Sequence, residues 1–96
     1  MVEITLVSFG QRPLQPLLQE AIHNELRLVQ AGLHRTEQRL RAFEARYNLP
    51  TAEFLKRYEN DEQQETLDLA EWIGEYRLAE RLREKIKILQ EIRFAN

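Results

Sequence analysis

Ile22, Leu26, Val29, Leu33, Thr36, Leu40, Phe43 and Tyr47 follow one another at spacings of 4, 3, 4, 3, 4, 3 and 4 residues. That alternation places all of them on one side of an α-helix and repeats as heptads do in packed helices. The residues between them are mostly Leu, Ala, Glu, Gln and Arg, which are good helix formers. Taken from Leu14 to Asn48, such a helix is roughly 52 Å long. A compact globule of 96 residues is only about 32 Å across, from a radius of gyration of roughly 12.5 Å. So short a chain cannot enclose so long a helix, and an elongated molecule is expected.

The flanking segments complete a mainly α reading. Val2, Ile4 and Leu6 alternate with Glu3 and Thr5, and Val7 and Phe9 follow. β-branched residues at period two predict a short N-terminal β-strand within an arm at 1–12. No second strand signal stands out, so this strand is expected either to pair with another chain or to form a flexible tail. The long helix occupies 13–48, with Pro13 and Pro16 where a helix start tolerates proline. Asn48-Leu49-Pro50 stops it, because the residue before a proline is pushed out of the α region. Thr51 reads as the N-cap of a short helix at 51–59 carrying Phe54, Leu55 and Tyr58 inward. A second long helix is predicted over 65–94, with Leu69, Trp72, Ile73, Tyr76, Ala79, Leu82, Ile86 and Leu89 as its apolar stripe. The expected fold is an antiparallel long-helix hairpin with a short linking helix and a short N-terminal β-strand, one domain over 1–96, assembling into a helical bundle.

Composition excludes several classes of function. The chain has no cysteine, hence no disulfide scaffold and no thiolate metal site. No apolar run approaches the roughly 18 residues that would span a membrane. No charged, apolar and small-residue sequence of a secretory signal opens the chain, so a cytoplasmic location is expected. A net charge of −2 and a pI near 5.7 argue against a generic nucleic-acid binder. Arg35, Arg39, Arg41 and Arg46 are interleaved with Glu37 and Glu44 and have no aromatic stacking platform.

The charges are unevenly placed. Residues 51–76 hold 8 acidic and 2 basic groups, and residues 77–96 hold 3 acidic and 6 basic ones. Carboxylates early and cations late in a helix suit its dipole. The same run offers an acidic face, with Glu62, Glu65, Asp68 and Glu71, for a basic protein partner. Trp72 and Tyr76 lie beside it as candidate anchors, since Trp and Tyr are enriched at binding hot spots. For Trp72, on the apolar stripe beside Ile73 and Tyr76, core packing is the first expectation and the interface anchor the alternative.

Chemistry-bearing motifs are sparse. His23 and His34 would stand about 16 Å apart along a helix, too far to share one metal ion. No Gly-rich phosphate loop or nucleophile elbow occurs. No cofactor, metal site or catalytic residue is expected. Arg27 and His34 are separated by six residues, a spacing that resembles the Arg-x4–6-His motif of HEPN-type ribonucleases. In such a pair His transfers a proton and Arg stabilises the phosphorane. Here apolar Leu28 follows Arg27, where that family usually has a polar residue.

A wider resemblance lies in Phe43-Glu44 with Tyr47, Leu49 and Thr51, Glu53-Phe54 with Tyr58-Glu59, and Glu71-Trp72 with Tyr76. In these residues the chain resembles short helical proteins of cyanobacteria and archaea, some of them antitoxin-like partners of a small toxin. Their connector often has a glycine-containing acidic turn, and 60–64 has no glycine. The resemblance implies a non-catalytic protein-protein interaction subunit that binds and neutralises a toxin protein. The alternative is a stand-alone homo-oligomeric bundle. In both, Ile22, Leu26, Val29, Leu33, Leu40, Phe43 and Tyr47 are expected as the seam of a homodimer or higher homo-oligomer. That oligomer would also cover Leu14, Leu17, Leu18 and Leu28.

Overall fold

The computed structural model describes residues 2–7, 13–60 and 65–94. In chain order these form β1 (Val2–Ile4), α1 (Gln15–Tyr47), α2 (Thr51–Glu59), α3 (Leu67–Gln90) and β2 (Ile92–Phe94). Arg46 reaches Asp68, Arg39 reaches Glu75, and Glu25 reaches Lys85. Rising positions on α1 therefore meet falling positions on α3, and the two long helices form an antiparallel hairpin. The molecule measures 61 × 22 × 18 Å with a radius of gyration of 19.1 Å, far from a sphere.

The seam closes inside this hairpin. Val29, Thr36 and Leu40 are buried, and Ile22, Leu26, Leu33 and Phe43 are half-buried. Tyr47 stays exposed at the rim. Elongation does not leave the seam open, because α3 is itself 24 residues long and runs back along α1. Val29, Thr36 and Leu40 are thus used within one chain, while Tyr47 and the half-buried members keep part of their surface exposed.

The turn into α2 follows from three residues. Asn48 takes the left-handed conformation (φ 48°, ψ 49°), which Asn tolerates better than most residues. The amides of Asn48 and Leu49 both donate to the carbonyl of Glu44. Pro50 then precedes α2 in extended backbone. Thr51 is not the N-cap that the sequence suggested but the first residue of α2. Its amide donates to Glu44 Oε2 at 2.7 Å, so a carboxylate from α1 caps α2. At the next start Thr66 does cap, accepting from the Leu69 amide at 3.2 Å. Asn48→Val is expected to cost about 1–2 kcal/mol by forcing a β-branched residue left-handed, while Asn48→Gly stays near neutral. Thermal midpoints of the two variants check this.

The second long helix ends earlier than the periodicity predicted. It stops at Gln90, and Ile92-Arg93-Phe94 forms β2. β1 pairs with it in parallel, Val2 opposite Ile92, Glu3 opposite Arg93 and Ile4 opposite Phe94. The Val2 amide adds a bond to the Glu91 carbonyl at 2.8 Å. The N-terminal strand thus pairs with its own chain, which neither expected alternative foresaw. Its regular part is Val2–Ile4, and Phe9 lies outside the described residues.

Candidate functional site

Trp72 organises the α2 end of the hairpin. It is 0% exposed and stacks on Phe54 at 4.0 Å between centroids, on Phe43 at 5.6 Å and on Tyr47 at 5.7 Å. Its Nε1 donates to Thr51 Oγ1 at 3.0 Å, which satisfies the indole in the core. This corrects its placement as a partner anchor, because a fully enclosed ring has no surface to offer. Tyr76 is half-buried, and burial and then the Glu80 carboxylate push its phenol above the usual value.

The acidic segment is only partly available. Asp68 Oδ2 accepts from the Tyr47 hydroxyl at 2.7 Å and from Arg46 at 2.8 Å. Glu75 pairs with Arg39 at 3.3 Å. Glu65 and Glu71 are exposed, and Glu62 lies outside the described residues. Hydrogen bonding by Tyr47, and then by Arg46, holds the Asp68 carboxyl below its ordinary range, while the Asp68 bond raises the Tyr47 phenol. The depressed carboxyl contributes stability that is present above about pH 3.9 and lost as pH falls through the native value. The raised phenol contributes stability that is present below about pH 10 and lost as pH rises through its native value. Tyr47→Phe is expected to remove the alkaline limb of a stability-pH curve and to flatten the acid limb in part, since Arg46 still holds Asp68, while Asp68→Asn flattens both limbs.

His23, Arg27 and His34 are exposed on α1. Arg27 donates to Asn24 Oδ1 at 2.9 Å, and two helical turns, about 10.5 Å of rise, separate it from His34. No group of three His, Cys, Asp or Glu suited to a metal ion occurs among the described residues. No described helix is long and apolar enough to cross a membrane.

Two surfaces stand out instead. One is the sheet end of the rod, where Val2, Val7 (67% exposed), Leu17 (63%) and Ile88 (47%) face solvent. Beside them a cleft of about 520 Å³ opens, with Ile22, Leu26, Leu89, Ile92 and Phe94 in its walls. Neither three-residue strand has a further strand beside it among the described residues.

The other is a long groove between α1 and α3 on one face of the hairpin. Two depressions of about 470 and 410 Å³ meet there at Arg39. From α1 they are lined by Leu28, Gly32, Arg35, Arg39, Ala42 and Arg46. From α3 come Glu71, Gly74, Glu75, Leu78 and Leu82. Sequence reasoning missed this face. Its signal was a second series on α1 at spacings of 4, 3, 4, 3 and 4, hidden because its members are Gly, Ala and Arg as well as Leu. Comparisons with protein-family models, curated proteins and solved structures return no match.

Proposed function

We propose that this chain is a non-catalytic protein-interaction subunit that captures a protein partner at its sheet end. The observation that carries the reading is the two-stranded sheet itself. Two strands of three residues are marginal in water and gain from further strands or packing. Here they lie among exposed apolar side chains rather than under a cover. A partner's extended segment added to an open edge would gain main-chain hydrogen bonds, and Val7, Leu17 and Ile88 would gain apolar cover. The acidic stretch at 51–76 belongs to the opposite, α2 end of the rod, so it sets no charge preference for a partner at the sheet. The resemblance to antitoxin-like helical proteins gives that partner a concrete form, a small toxin.

Co-expression with the product of the adjacent gene, followed by pull-down, tests this. A complex that is lost in Leu17→Asp/Ile88→Asp supports it. No complex at low salt, or one indifferent to both substitutions, overturns it.

A further inference from the structure

We infer that the groove between α1 and α3 is the dimer interface of this protein, and that a second copy fills it with α1 of each chain lying on α3 of the other. The inference is independent of the partner at the sheet end, which lies elsewhere on the rod.

Gly74 raises the question. Glycine weakens a helix interior, yet a Cβ built at Gly74 meets no atom within 4 Å. Nothing among the described residues requires glycine there. Gly32, on the same groove, is similar, since its nearest atoms at 3.7 and 3.9 Å are ordinary contacts at the ends of Arg35 and Leu82. Two mid-helix glycines opening on one face, with Ala42 beside Gly74, suit the close approach of another helix.

Charge selects the occupant and its orientation. The α1 side of the groove carries Arg35, Arg39 and Arg46, with one carboxylate, Glu25, at its far end; the α3 side carries Glu71 and Glu75 and then Leu78 and Leu82. A two-fold axis parallel to the helices sets α1 of one copy against α3 of the other. Residues already level within the hairpin then meet across the interface. Arg39 faces the partner's Glu75, Arg46 faces the partner's Glu71, and Leu28, 66% exposed, comes against the partner's Leu82. Gly74 meets the partner's Ala42, where the backbones come closest. An axis perpendicular to the helices would press the guanidinium rows together instead.

The size of the groove also suits this arrangement. The stripe from Leu28 to Arg46 is about 27 Å long, which gives roughly 1,200 Å² in all on a rod 22 Å wide, enough for a specific interface. The product is a four-helix bundle with an isologous interface.

Equilibrium sedimentation of the full chain is expected to return twice the 11.5 kDa chain mass. Gly74→Gln is expected to halve it while the helical circular dichroism is kept, because the new side chain meets open space in one chain and blocks the approach of two. The cysteine-free background allows a second reading. An equal mixture of the single variants Ala42→Cys and Gly74→Cys is expected to cross-link about tenfold faster than either alone, since a disulfide needs its Cα atoms within reach. A wild-type mass of one chain, or an unchanged mass in Gly74→Gln, overturns the interface. Ala42→Cys cross-linking alone as fast as the mixture overturns the orientation.

Discussion

Trp72→Ala is expected to lower the stability of the fold by about 3–5 kcal/mol, the range for removing a large aromatic side chain from a core. The indole touches every element at that end of the molecule. It comes from α3, stacks on Phe43 and Tyr47 of α1 and on Phe54 of α2, and donates to Thr51. Truncation leaves a cavity between three helices and strips three rings of their neighbour. A domain of this size has only about 5–15 kcal/mol in total, so the variant stands near the edge of folding at room temperature. Denaturant titration followed by circular dichroism measures it, since the variant loses the only tryptophan. Trp72→Phe separates packing from hydrogen bonding. It retains a ring but removes the donor to the buried Thr51 hydroxyl, and is expected to cost about 1–3 kcal/mol. A loss below about 1 kcal/mol for Trp72→Ala would mean that the aromatic cluster does not hold the hairpin together.

The parts of this fold that were legible in the sequence are those in which a pattern runs long. α1 was visible because eight seam positions keep one spacing over most of its length, and no other structure satisfies them all. Asn48-Leu49-Pro50 was visible because its conformational limits are local. β2 was not, because Ile92 continues the apolar stripe of α3 while Ile92 and Phe94 also alternate about Arg93, and three residues cannot separate the two periods. The role of Thr51 was hidden for a different reason. Its hydroxyl had two candidate uses, a local cap and a bond to an indole 21 positions away. Glu44 supplied the cap and left the hydroxyl to Trp72. The sheet end depended on knowing that both termini meet. The groove was hidden by chemistry, since a face built from Gly, Ala and Arg carries no hydropathy signal.

Phe54→Ala asks whether α2 is a part of the core or a passenger on it, and the expected loss is again about 3–5 kcal/mol. A nine-residue helix does not stand alone in water, so α2 exists only through its anchors. The Glu44 cap fixes where it begins, and Phe54, 0% exposed, fixes its face against Trp72. If α2 were merely attached, Phe54→Ala would release it locally. Amide exchange would then rise at 51–59 alone, while the long seam between α1 and α3 kept its protection. The 4.0 Å stacking distance argues against that, because Trp72 cannot keep its surroundings when Phe54 is removed. Protection is therefore expected to fall together in α2 and in the adjoining turns of α1 and α3. The double variant Phe54→Ala/Trp72→Ala is expected to lose less than the two single losses combined, by about 0.5–1.5 kcal/mol, the coupling typical of an aromatic pair. Strict additivity would place Phe54 and Trp72 in separate cooperative units. A shared deficit makes the ring cluster one unit, in which the short helix locks the closed end of the hairpin.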